Sequence, residues 1–236
     1  MHRLAGIVWS VIFFVSTPVL ANVYVSLRSR PDVSLGELLP LSTWKKQFEI
    51  TEGKDRGKIV PLTLQHDRET AGRWDLRFGD YAGILITNDL SRGLVIERLN
   101  LFKSRSYIVY EPALPILARD RMGENTLEHQ ANFKMFDVET GKLKRTGRVV
   151  HAVKQVSQSR FDTPAGLIDG YYIEIDHRMD MQWAQLHMTL GLGCRLDDGP
   201  VFGSGQYTLT KLGIFTEKKT AAAALTPASS DVTPRH

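Results

Sequence analysis

Tyr171-Tyr172-Ile173-Glu174-Ile175-Asp176-His177-Arg178 alternates without a break. Tyr171, Ile173, Ile175 and His177 fall on one side of an extended chain, and Tyr172, Glu174, Asp176 and Arg178 on the other. A period of two belongs to a half-buried strand, since successive side chains of a strand point to opposite faces. A turn over Met179 to Gln182 predicts a hairpin that sets Ile175 against Leu186, Ile173 against Met188 and Tyr171 against Leu190. The same register sets Asp176 against Gln185, Glu174 against His187 and Tyr172 against Thr189. One face is then apolar and the other polar, which is what fixes register in a sheet with one buried side.

Working outward, Trp74, Leu76 and Phe78 alternate with Arg73, Asp75 and Arg77. Phe133 and Met135 lead into Asp137-Val138-Glu139-Thr140-Gly141-Lys142, where Gly141 suits the left-handed position of a three-residue hairpin loop. The return strand is expected from Leu143 to about Val156. Asp197-Asp198-Gly199-Pro200 is a turn signal before a strand from Gln206 to Gly213. Ile84 to Thr87, Leu94 to Phe102 and Tyr107 to Glu111 read as further strands, with Pro112 and Pro115 ending the last and Pro115 to Arg121 free for a helical turn. The sum, roughly nine or ten antiparallel strands with few short helices, predicts an all-β fold, a half-open or closed barrel over residues 44–215. Residues 22–43, with Pro31, Pro40 and the apolar pair Leu38-Leu39, form a lead-in. Residues 216–236, rich in Ala, Ser, Thr and Pro, read as a disordered tail.

The first 21 residues differ from the rest. Leu4 to Val15 is apolar apart from Gly6 and Ser10, Ser16-Thr17-Pro18 breaks it, and Val19-Leu20-Ala21 has the small residues of a cleavage site. The expectation is a signal peptide, a mature chain starting at Asn22, and a periplasmic or secreted address. The alternative is an inner-membrane anchor through residues 4–20. Cys194 is the single cysteine, so an internal disulfide is excluded, as is acylation after the apolar run. Thirty cationic side chains against twenty-six acidic ones give +4 without a basic stripe, so a nucleic-acid partner is not expected.

Chemistry leaves little trace. His66, His129, His151, His177 and His187 are dispersed, with no metal-site spacing, and no cofactor motif is present. Glu174 and His187 would face each other in the predicted hairpin, either as an acid-base dyad or, more simply, as a solvated pair. Ser204 lacks the outer glycines of a nucleophile elbow. Gly191-Leu192-Gly193 precedes no helix, and Cys194 has no evident base. These absences argue against an enzyme. Lys142, Lys144, Arg145 and Arg148 crowd one hairpin, as a solvated arm that blunts a sheet edge or as a contact for anionic lipid or a charged envelope polymer.

Thr163-Pro164-Ala165-Gly166, then Gly170 to Ile175, Leu190-Gly191-Leu192-Gly193-Cys194-Arg195 and Gln206-Tyr207-Thr208-Leu209, resembles the end of a bacterial family of exported proteins of unknown function. That family is similar in expected shape to the lipoprotein-carrier and lipoprotein-receptor proteins of the bacterial envelope, half-open barrels with an apolar groove. The resemblance implies a non-catalytic protein that takes a lipid or lipid-modified envelope component, with a membrane surface as a further partner. With it, the apolar faces Trp74, Leu76 and Phe78 and Ile173, Ile175, Leu186 and Met188 become the expected groove. A filled core with a structural or interaction role in the envelope is the alternative, and a hydrolase a third reading.

Overall fold

The computed structural model describes residues 24–25, 38–52, 55–89, 92–117, 127–163, 166–196, 198–211 and 218–227. The predicted signal, residues 1–21, lies outside them. Alternation dictates the architecture: strand follows strand, with Phe102–Ser104 a single 3-10 turn. The strands are β1 (Tyr24–Val25), β2 (Trp44–Ile50), β3 (Ile59–His66), β4 (Arg73–Phe78), β5 (Ala82–Asp89), β6 (Gly93–Leu101) and β7 (Ser106–Leu117). They continue with β8 (Leu127–Asp137), β9 (Leu143–Thr163), β10 (Gly166–Met181), β11 (Ala184–Arg195), β12 (Gly199–Lys211) and β13 (Lys218–Pro227).

All ladders are antiparallel. They run from β9 through β10, β11, β12, β13 and β2 on to β8, and β8 pairs with β9 again. The narrow place is the β13–β2 seam, which holds three residue pairs from Leu225↔Ile50 to Pro227↔Phe48. Trp44 to Gln47 of β2 and Lys218 to Ala224 of β13 have no partner across it among the described residues, so the barrel stays half open there. The short β1 adds to β9 at Arg160 and Ser159.

Four expectations need correction. The described residues hold thirteen strands rather than nine or ten. Of the added strands, β2 and β3 alternate as clearly as the others and lie within the expected barrel, while β1 and β13 lie outside residues 44–215. Pro112 and Pro115 do not end β7, which continues to Leu117 because register shifts in β6 absorb the missing amide donors. The tail is not wholly disordered: Lys218–Pro227 pairs with β12 and β2, where backbone hydrogen bonds compensate for small side chains. The β10–β11 hairpin turns two residues later than expected, so its register moves by four: Ile175 meets Leu190, Ile173 meets Leu192, Tyr171 meets Cys194 and His177 meets Met188. A shift by an even number leaves every side chain on its predicted face.

Glycine does its work at the turns. Gly141 sits at φ +65 in the β8–β9 hairpin, where the Asp137 amide donates to the Lys142 carbonyl. Gly166 sits at φ +106 opposite Thr163, whose hydroxyl donates to the Gly166 carbonyl at 2.8 Å, so the Thr163–Gly166 motif is a two-residue turn. We call the end carrying the β2–β3, β4–β5, β6–β7, β8–β9 and β10–β11 turns the lower end. The β9–β10 and β11–β12 turns mark the upper end.

Candidate functional site

The inner faces of the strands define the interior, and its two halves are filled differently. In the lower half Leu101, Ile108, Phe133, Met135, Val149, Met179, Leu186 and Leu209 form one buried cluster drawn from β6 to β12. In the upper half the wall of β10 and β11 supplies Tyr171, Ile173, Ile175 and Cys194, which pack on Leu38. The opposite wall supplies Ile86 and Leu94, flanked by Trp74, Leu76 and Ile84, which pack on Leu39. Leu38 is 0% and Leu39 3% exposed. A short stretch of the lead-in therefore crosses between the walls, tied down where the Trp44 indole donates to the Pro40 carbonyl at 3.2 Å. Burying each leucine is worth roughly 1.5–3 kcal/mol.

The predicted groove residues are distributed accordingly. Ile173 and Ile175 lie under Leu38, and Trp74 and Leu76 lie beside Leu39. Leu186 and Met188 belong to the lower cluster, and Phe78 packs on Ile50, Val60 and Tyr81. Among the described residues the two faces thus meet through Leu38-Leu39 and the shared neighbour Ile116.

One strip of the interior is left bare. Leu190 lies on the inner face of β11 between Met188 and Leu192, directly opposite Ile175, yet it is 38% exposed. On β12 its row continues to Gly205, with Gly203 next along, so β12 contributes no side chain over it. The row ends at Ala223, on the stretch of β13 that β2 leaves unpaired. An apolar strip therefore opens beside the seam. Sequence reasoning put Leu190 on the apolar face and missed the burial of Leu38 and Leu39 between the walls; for the bare strip, the alternation of β11 and the glycines of β12 were the available signals.

Between the halves runs a polar row. His129, His151 and His177 are direct partners across β8, β9 and β10. The Nδ1 atoms of His151 and His177 lie 3.2 Å apart, so one ring donates to the other. The edge of Tyr110 meets His177. Burial first, and the neighbouring imidazole second, lowers His151 to about 4 and His177 to about 3. Burial also lowers His129 and raises the Tyr110 phenol. Among the described residues no group of three or more His, Cys, Asp or Glu is arranged to hold a metal ion.

The nucleophile candidates are poorly placed for chemistry. Cys194 is fully buried, and burial pushes its thiol up to about 12. His187 pairs with Asp176 on the exposed face rather than with Glu174, because the hairpin register has moved. Ser204 lies beside Tyr172 over Gly191, on the outer face. Of the cavities, one of about 450 Å³ lies on the outer face against Lys45, Lys58, Thr63, Asp75 and Arg77. Burial raises the Asp75 carboxyl there.

No family model matches the sequence, and no curated protein matches it. The likeness to the exported family therefore rests on the turn motifs alone. Among solved structures, the crystal structure of a putative lipoprotein from Parabacteroides distasonis aligns over 81% of this chain and 98% of that chain, with a TM-score of 0.32 and 10% identity. No functional inference rests on a match that remote. No helix among the described residues is long and apolar enough to cross a membrane.

Proposed function

We propose that the protein is a non-catalytic, exported barrel that holds the apolar part of an amphipathic envelope component along the Met188–Leu190–Leu192 strip, beside Leu38. The observation that carries this reading is the exposure of Leu190 on an inner face whose other apolar members are covered. An apolar strip inside a half-open barrel, next to a gap in the strand pairing, suits an extended acyl chain better than a compact polar substrate. Leu38 and Leu39 occupy the neighbouring volume and widen the site if they withdraw. Export and a binding role without chemistry rest on the apolar first 21 residues and on the burial of Cys194.

A filled-core interaction protein is the second reading, supported by the packed lower half. Ligand addition separates the two. Palmitate or dipalmitoylphosphatidylglycerol should raise the melting temperature of the wild type by mass action. Leu190→Trp should abolish that rise while leaving the unliganded melting temperature close to wild type. No rise in the wild type at saturating ligand would remove the binding reading and leave the interaction protein.

A further inference from the structure

We infer that the β8–β9 hairpin is a docking element for an anionic lipid bilayer. On one side the hairpin extends past its neighbour: β10 pairs with β9 only as far as Gly147, so Leu143 to Thr146 run beyond β10, while β7 flanks β8 to its end at Asp137. Its outer face carries an apolar row, Tyr107, Phe136 and Leu143, which are direct partners across β7, β8 and β9. The first two rings stack at 5.1 Å. Leu143 is 55% and Val138, at the tip, 56% exposed. With Tyr107 and Phe136 beside Leu143, these side chains form a contiguous apolar row rather than isolated exposed residues, and such patches mark interaction surfaces.

Charge surrounds this apolar tip in the manner a headgroup layer demands. Arg105, Lys142 and Lys144 lie beside it in the hairpin and the adjoining turn, against Asp137 and Glu139, while Arg145, the partner of Met135, faces the lower mouth of the barrel. Lys144 pairs with Asp137 at 2.7 Å and Arg105 with Glu139 at 2.6 Å. Lys142 and Arg145 have no carboxylate partner among the described residues, which leaves the tip cationic. Arg145 instead stands over Trp183 at 5.5 Å, an aromatic residue suited to the depth of the headgroups.

The loop is also rigid before it binds. Asp137 accepts from the Glu139 and Thr140 amides and the Thr140 hydroxyl, and Val138 donates to the Arg105 carbonyl at 3.0 Å. Little ordering entropy is then lost on insertion. The occupant that matches an apolar row and tip bordered by cations is a bilayer of anionic phospholipid, with Val138 and Leu143 among the upper acyl carbons and the cations at the phosphates.

The test uses the full chain with Val138→Cys carrying an environment-sensitive dye. Cys194 is buried and stays unlabelled. Phosphatidylglycerol vesicles should shift the dye emission to the blue and phosphatidylcholine vesicles should not, and high salt should reverse the shift. Lys142→Gln with Arg145→Gln should weaken binding roughly 10- to 30-fold, since each cation near such a surface contributes about 1 kcal/mol. Wild type and variants share residues 1–21, so the difference between them reports the hairpin alone. A dye that stays in water on phosphatidylglycerol vesicles overturns the proposal. So does tight binding to a soluble polyanion such as dextran sulfate with no blue shift on vesicles, which would make the hairpin a polymer contact.

Discussion

The lower and upper halves of the barrel use the same alternating strands to different ends. Below, Phe133 reaches across the sheet and lies so close over Gly147 that a Cβ there would meet its ring at 2.6 Å. One continuous cluster there spans β6 to β12, with Ile50, Val60 and Tyr81 of the remaining wall packed as a second cluster. Above, the walls belong to separate clusters that meet through two leucines of the lead-in and through Ile116, and Leu190 remains bare. One half holds the fold together; the other has interior volume that the sheet does not fill. A barrel that needs both stability and an exchangeable interior can separate them along its axis in this way.

The contrast breaks if the lower half proves soft. Phe133→Ala should cost roughly 3–5 kcal/mol, read from urea unfolding, because the surrounding strands cannot collapse into the space. A loss below about 1 kcal/mol would mean that the lower core is loosely packed too.

The next largest effect is at the boundary. The folded pKa values of His151 and His177, about 4 and about 3, lie below the ordinary value of 6.5. Their neutral forms therefore stabilise the barrel fully above pH 6.5, and this is lost as pH falls from there toward 4. The loss from the two rings should already reach on the order of 2–3 kcal/mol by about pH 5.5. His129 and Tyr110 also face this row, and Asp176 opposes the shift in both rings. Replacing both histidines with leucine should flatten the acid limb of stability against pH; an unchanged limb would assign the loss to other groups.

Leu38→Ala should cost less than Phe133→Ala, about 2 kcal/mol. Only the transfer of the side chain is lost, since water or a rearranged lead-in can enter an upper half already open beside Leu190. Equal costs at the two sites would make the lead-in as much a part of the core as β8.

These differences explain what could be read in advance. The faces of β10 and β11 follow from alternation, because Ile173, Ile175, Leu186 and Met188 keep their side under any even shift. Their register does not, since Met181 to Ala184 carries no Gly or Asn to fix the turn. Gly141 was legible as local backbone chemistry. The burial of Leu38-Leu39 and the meeting of His151 with His177 depend on partners far along the chain, and no periodicity records them. Strand β13 was hidden by its alanines, whose pairing rests on the backbone.

The smallest expected effect concerns Cys194, and it distinguishes the halves most cleanly. Its thiol is sealed beneath Leu38 and raised to about 12, so a water-soluble thiol reagent reaches it only when something opens. If the upper half opens alone, by withdrawal of Leu38, little surface is exposed in that step. The labelling rate should then be nearly flat at low urea, because the denaturant dependence of an opening scales with the surface it uncovers. Leu38→Ala should raise that flat rate, and Phe133→Ala should leave it unchanged while global unfolding becomes easier. A labelling rate that climbs with urea at the slope of global unfolding, in wild type and Leu38→Ala alike, would mean that lead-in and walls separate only together. The upper half would then be a core like the lower one, with no independent motion to admit a ligand.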